Sequence, residues 1–334
     1  MPQPLTAAMF IDGKTILVAG GTGLAGSGAV RALLAASSSV RQRVSFRSRC
    51  GAFVDDPRVE YVEADLTDPA QCRTLATGCD AAVMAAAFTA GAQSSRDEPW
   101  RQVTENVVMD ARLLEAFHHE GVRRVVYVST ASVYQDFDGF IREDQLDWNR
   151  DPPTAYAGVG WAKRYGEKAC QFWHHSTGMQ VLIARLANVF GPFAKFAPQH
   201  SHFIAATIRK AVDRLDPFEV WGSPSVVRDV LYADDFGRAV VAMLNATDTA
   251  FDVFNIGSGR QTTVGEVVEW SLRHAGHHPS RLTFGETGAA TIPFRALDCG
   301  KARAVLGWQP SVDIEDGVRQ TIAWWRDNKE TCTR

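Results

Sequence analysis

The stretch Val18-Ala19-Gly20-Gly21-Thr22-Gly23-Leu24-Ala25-Gly26-Ser27-Gly28 constrains the fold of this chain more than any other. It follows the apolar run Thr15-Ile16-Leu17-Val18-Ala19 and leads into the small-residue, Leu-rich segment Ala29 to Ala36, the pattern of a strand turning tightly into a helix. Glycine suits such a turn because a side chain would hold the backbone away from a phosphate and the helix away from the strand. The free amides at the helix start also carry partial positive charge towards an anion. Gly21, Gly23 and Gly26 spell GxGxxG, while Gly20, Gly23 and Gly26 spell GxxGxxG, and both spacings stay open. Either reading makes a cradle for a dinucleotide, with Leu24 and Ala25 at the helix start. The flanking strand and helix argue against a ligand-free turn.

Further runs alternate in the same way. Arg43 to Arg47 reads as a second strand, Val59 to Asp65 as a third, Ala81 to Ala87 as a fourth, and Val122 to Ser129 as a fifth whose continuous apolar character suits burial on both faces. Trp100 to His118 places Val103, Val107, Leu114 and Phe117 at helical spacing. Alternating strands and helices imply a doubly wound parallel sheet of α/β class, a Rossmann fold, with its ligand at the carboxyl ends of the strands. Another strand, Met179 to Arg185, precedes a region read as loop-rich from Gly191 to Pro224. Helices are expected at Ala233 to Asn245, Val264 to Ala275 and Ile314 to Asn328, with a short strand at Val253 to Ile256. The less regular second half suggests a smaller, mixed C-terminal substrate-binding domain interleaved with the first. We expect residues 1–188 and about 226–256 in the dinucleotide-binding domain, and about 189–225 and 257–334 in the other.

At 334 residues the chain can bury a full core, and its 46% hydrophobic and 22% charged content is that of an ordinary globular protein. A net charge of -3 argues against a nucleic-acid partner. Cysteines 50, 72, 79, 170, 299 and 332 include no CxxC pair and read as reduced thiols. No apolar run approaches the roughly 18 residues of a membrane span, and Met1 to Phe10 reads as a loose tail rather than a leader, so a cytoplasmic protein with no membrane contact is expected. The His118-His119, His174-His175 and His274, His277-His278 groups lack Cys or Glu at ligand spacing, and no metal is expected.

Two strand ends bear on the cofactor. An acid closing strand two would bond a ribose 2′-hydroxyl, whereas arginine suits a 2′-phosphate, and Arg47 and Arg49 stand there with no acid. NADP is therefore the expected cofactor and NAD the alternative. Asp65, ending strand three beside Leu66, is a candidate for the adenine amino group, with a loop or capping carboxylate as its other reading. Ala85, Ala86 and Ala87, leaving strand four, complete the expected cofactor contacts.

Several segments together resemble the extended short-chain dehydrogenase/reductase family, in its branch of nucleotide-sugar epimerases, dehydratases and keto-sugar reductases. The resemblance runs from about Lys14 to Asn328. Val126-Tyr127-Val128-Ser129-Thr130-Ala131-Ser132-Val133-Tyr134 is similar to the strand with the catalytic Ser or Thr, which falls on Thr130. Asn106-Val107 looks like the helix asparagine that supports the sheet interior. Arg185-Leu186-Ala187-Asn188-Val189-Phe190-Gly191-Pro192 resembles the Arg-x-x-Asn-Val-Tyr-Gly-Pro stretch, whose Asn faces the nucleotide sugar. Arg228-Asp229-Val230 and Arg295, followed by Leu297-Asp298 and Lys301, match segments that imply a diphosphate grip by Arg228 and Arg295, for which a planar fork suits phosphate oxygens.

The family resemblance implies a nucleotide-diphosphate sugar as substrate, hydride exchange at sugar C4, and a homodimer. Local likeness is greatest to the GDP-fucose synthase group, where the stretch ending in Ser201-His202-Phe203-Ile204 implies an acid/base role for His202. The thiol of that group aligns with Ser132, a far weaker base. Val159 to Glu167 matches the Tyr-x-x-x-Lys helix and places Lys163 at the nicotinamide ribose, but the tyrosine position holds Val159. Tyr156 is the candidate stand-in; on a continuous helix it would lie roughly 10 Å from Lys163 along the axis. Without that relay the alternatives are a non-redox sugar epimerase, a repurposed enzyme of the family, or a cofactor-binding protein without catalysis.

Overall fold

The computed structural model describes residues 8–47, 53–89, 100–285 and 294–330. Arg49, one of the two strand-end arginines, lies outside these residues. The chain starts with β1 (Thr15–Ala19), α1 (Leu24–Ala36), β2 (Arg41–Phe46), β3 (Val59–Glu63) and α2 (Pro69–Ala76). The Asp68 carboxylate accepts the Ala70 and Gln71 amides to start α2, and Pro69 occupies the first turn, where a missing N–H is harmless. β4 (Ala81–Met84), α3 (Arg101–Glu120) and β5 (Arg124–Thr130) follow, then a two-residue β6 (Phe140–Ile141), α4 (Ala157–Thr177) and β7 (Gln180–Leu186). Left-handed Gly121 and Gly178 end α3 and α4.

The second half holds β8 (Asn188–Phe190), α5 (Phe203–Val212), β9 (Phe218–Trp221), β10 (Val227–Arg228), β11 (Val230–Tyr232), α6 (Ala233–Asn245), β12 (Phe251–Ile256), β13 (Thr262–Thr263), α7 (Val264–Ala275), β14 (Leu282–Gly285), β15 (Ala296–Leu297), α8 (Gly300–Leu306) and α9 (Ile314–Asn328). Seven strands form one sheet in the order β12-β7-β5-β4-β1-β2-β3, with every pairing parallel.

Strand side chains alternate between the two faces, and the core is built on that alternation. Ile16 and Val18 of β1 pack with Val30 and Leu33 of α1 and Phe236, Val240 and Met243 of α6. Leu17 and Ala19 pack on the opposite side with Leu75 of α2, Leu113 and Phe117 of α3 and Cys170 of α4. The sheet is thus covered on both faces, as its parallel strands require. A third core, from Ile204 and Ile208 of α5, Val267 and Trp270 of α7, and Ile314, Val318, Ile322 and Trp325 of α9, lies in the second half.

Two sequence expectations need correction. The stretch Gly191 to Pro224 contains the ten residues of α5 and strand β9, because Ile204, Ala205, Ile208 and Ala211 fall on one helical face and are buried. Pro192, Pro198, Pro217 and Pro224 around them disguise that period. Met9 and Phe10 are not loose: both pack on the first core, and the Arg124 guanidinium lies 5.6 Å from the Phe10 ring.

Candidate active site

The carboxyl ends of the sheet carry the site. β1 lies between β2 and β4, so the chain reverses direction across the sheet at β1 and opens a crevice above its end. Gly20 has φ +75°, and a Cβ there would lie 2.5 Å from Ala86 Cα in the segment leaving β4. At Gly26 a Cβ would lie 2.3 Å from the Gly20 carbonyl oxygen. Neither position has room for a side chain, and the turn stays bare backbone at the start of α1. Bare amides at a helix start suit an anion. Asn106 of α3 fixes the segment after β4: its side-chain oxygen accepts the Phe88 amide at 2.8 Å, and its NH2 donates to the Phe88 and Gln102 carbonyls at 3.2 and 2.6 Å.

At the flank of the crevice, Arg47 pairs with Glu105 of α3 at 2.9 Å. The Asp65 carboxylate accepts the Thr67 amide and hydroxyl at 2.9 and 2.7 Å, which turns the chain towards α2 and holds its pKa below the usual value. Leu66 is buried in the second core.

Beyond β5 and β7 a cavity is lined by Thr130, Ser132, Tyr156, Asn188, Arg228 and Arg295, among others. Thr130 ends β5, and its hydroxyl oxygen accepts the Ser132 amide at 3.2 Å, starting a single 3-10 turn. The two hydroxyl oxygens are 3.4 Å apart. Gly160 lets α4 approach this turn: a Cβ there would lie 2.6 Å from the Ser132 carbonyl oxygen. Tyr156 is not part of α4 but the residue capping it, so the continuous-helix distance to Lys163 does not apply. Its ring lies 4.8 Å from the Arg295 guanidinium.

Arg295 is 6% exposed, with Nη1 3.4 Å from the Ser132 hydroxyl and with Nε and Nη2 buried without a hydrogen-bond partner among the described residues. Burial lowers its pKa, Tyr156 opposes that shift, and the Arg228 cation adds to it. Burial lowers Arg228 as well. Asp229 lines the same cavity, and its carboxylate accepts the Ser258 amide and hydroxyl and the Gly259 and Leu297 amides. Burial, opposed by those bonds, pushes Asp229 up to about 6.

Lys163 sits on α4, buried, with its ammonium towards Asp110 of α3 rather than on the cavity wall. Val159 is one helical turn before it. His202 precedes α5, is exposed and does not line the cavity. Among the described residues no group of three or more His, Cys, Asp or Glu is placed to hold a metal ion.

Sequence reasoning missed what holds the site from behind. Glu167 of α4 takes Arg185 at 2.8 Å and the Ser129 hydroxyl at 2.6 Å, and Arg185 reaches the Tyr134 hydroxyl at 3.0 Å. Asp110, which takes the Tyr127 hydroxyl at 2.6 Å, was missed too. Its signal was an acid among Met109, Leu113, Leu114 and Phe117 on the buried face of α3.

The Rossmann sheet, the glycine cradle and the cationic cavity beside it define an enzyme of the extended short-chain dehydrogenase/reductase type. The profile of the NAD dependent epimerase/dehydratase family matches residues 16–257, and the chain belongs to that family. It is 29% identical over 318 residues to a GDP-L-fucose synthase of Sinorhizobium fredii, covering 93% of this chain and 95% of that one. A UDP-glucose 4-epimerase from Thermotoga maritima, solved with UDP-glucose, superposes with a TM-score of 0.81 at 25% identity, covering 94% of this chain and 99% of the other. A dTDP-glucose 4,6-dehydratase from Streptomyces venezuelae, solved with NAD, does so with a TM-score of 0.81 at 28% identity, covering 95% and 98%.

Proposed function

We propose that this chain converts a nucleotide-diphosphate sugar, as an epimerase or keto-sugar reductase that exchanges hydride at sugar C4 with a bound nicotinamide dinucleotide. The observation that carries this reading is Arg295: a buried guanidinium with two nitrogens that have no partner among the described residues, facing a cavity shared with Arg228. A guanidinium held out of water beside a second arginine suits an anion, and a diphosphate meets both in planar fork geometry. The named relatives act on such sugars, which supports the same class.

The nicotinamide group supplies the hydride carrier when bound. Gly20, Gly23, Leu24, Ala25 and Gly26 would cradle its diphosphate, with Ala85, Ala86 and Ala87 alongside, Arg47, Asp65 and Leu66 towards the adenosine end, and Lys163 at the nicotinamide ribose. Thr130 would polarise the sugar carbonyl and Asn188 would meet the sugar. A carbonyl acidifies the neighbouring C–H bonds, and His202, just before α5, would be the base. Ser132 is its partner hydroxyl.

The residue at 159 favours a second reading. Valine holds no proton, and Tyr156, set against Arg295, stands at the anion end of the cavity. A non-redox epimerisation of a keto-sugar, with the dinucleotide in a structural role, fits that arrangement. Incubation with UDP-, GDP- and dTDP-sugars under nicotinamide fluorescence separates the two: redox cycling supports the first reading, and inversion without cycling supports the second. R295A should weaken nucleotide-sugar binding at least about tenfold by calorimetry with dinucleotide affinity retained, since removing one partner of a buried charge pair costs about 3 kcal/mol or more. Unchanged sugar binding would sink both.

A further inference from the structure

Around Lys163 lies a buried cluster of which only the lysine enters the scheme above. The Lys163 ammonium is 3.4 Å from Asp110 Oδ2, and the two side chains are 6% and 2% exposed. The same oxygen accepts the Tyr127 hydroxyl at 2.6 Å, and the ammonium lies 4.6 Å from the centre of the Tyr127 ring. Tyr127 is itself fully buried.

A lysine drawn this far out of water needs a counter-charge, because an unpaired buried ammonium costs several kcal/mol. The neighbouring acid on its own helix, Glu167, is already committed to Arg185 and Ser129. Val159, one turn earlier, offers neither charge nor hydrogen bond. Asp110 supplies both, and the phenol hydroxyl that Tyr127 donates fixes which oxygen faces the ammonium. The aromatic ring closes the other side, where the face of a π-system attracts a cation.

We propose that Asp110 is a positioning residue: it holds the Lys163 ammonium at the nicotinamide end of the crevice, taking the electrostatic place that a phenol at position 159 would have filled. This rests on the reading of Lys163 as a dinucleotide anchor. Asp110 touches neither cofactor nor substrate, and its effect passes through Lys163.

A binding cycle tests it without turnover. Dinucleotide affinity is measured by fluorescence titration with NADPH and NADH for wild type, K163M, D110N and the double variant, and binding of UDP and GDP is measured by calorimetry as a control. K163M and D110N should each weaken the dinucleotide about tenfold. The double variant should match K163M within about twofold, since a residue acting through another adds nothing once that partner is gone. UDP and GDP binding should stay within about twofold throughout.

An unchanged K163M would fell the anchor reading itself, and the inference with it. A weakened K163M beside an unchanged D110N, or a D110N loss repeated in full on the K163M background, would overturn the inference alone. D110N is also made in Y127F, where the phenol no longer needs an acceptor. If Asp110 serves only Tyr127, affinity recovers there and the proposal is overturned; a persisting loss supports it. Failure of both D110N proteins to fold would make Asp110 a folding residue and overturn it as well.

Discussion

Arg47 closes β2 at the point where a dinucleotide fold tells a 2′-hydroxyl from a 2′-phosphate. Its partner Glu105 brings an acid towards that end of the crevice, which the strand sequence alone did not announce. The pair is exposed on the arginine side, so its mutual attraction is worth little in water and a ligand phosphate can compete for the guanidinium. We expect R47A to weaken NADPH roughly tenfold and leave NADH within about twofold, because a charge-assisted phosphate bond is worth about 1.5 kcal/mol or more; equal loss for both in parallel fluorescence titrations would remove Arg47 from the nucleotide. Gly20 presents a steric case rather than an electrostatic one. G20A puts a methyl against Ala86 backbone and strains a positive φ, so it should lower stability by about 1–3 kcal/mol and weaken both dinucleotides alike. Denaturant unfolding and titration on the same sample check the two together.

Between elements, Asp229 ties β11 to the Ser258-Gly259 turn and to β15, three segments far apart in sequence. Its raised pKa means that the folded protein holds a proton there which the unfolded chain has lost. Asp229 therefore contributes stability that is fully present below about pH 4 and is lost as pH rises through about 6. Against D229N, which cannot titrate, wild type should lose about 3 kcal/mol between pH 4 and pH 7 and then run parallel. A flat difference in urea midpoints over that range would refute the assignment. The same element scale shows what sequence can and cannot disclose. Strands β1 and β5 were legible because burial on both faces demands continuous apolar runs, and α6, α7 and α9 because their periods are unbroken. Helix α5 was hidden by surrounding prolines, although its apolar spacing was present. The convergence of Thr130, Ser132, Arg228 and Arg295 was legible only through family likeness, since β15 reaches the site by pairing with β6, and no local pattern encodes a contact across that separation. The Asp110 and Lys163 pair was illegible for the same reason: each looks like a flaw in an amphipathic helix until α3 and α4 are laid side by side.

At the scale of the molecule, α3 and α4 cover one face of the sheet and leave an apolar stripe outside. Trp161, Tyr165 and Phe172 of α4, at 44%, 47% and 61% exposure, recur at four and seven residues and so share a single helical face. Trp100 and Val103 at the start of neighbouring α3 are exposed as well. Aromatic side chains scattered singly on a surface need no explanation, but a row of them on adjacent helices exposes apolar area that a second copy could bury. A two-fold axis satisfies the need most simply, because each copy brings the same stripe to the other. On that argument we expect a homodimer through α3 and α4, and light scattering behind size exclusion should return twice the 36.6 kDa chain mass. Trp161→Glu combined with Phe172→Glu places two charges in that contact and should return the single-chain mass, with the dinucleotide still bound because the glycine cradle lies at the strand ends, apart from the outer helix faces. A dimer that survives both substitutions would place the interface on another surface, and a wild-type monomer would leave the stripe without this partner.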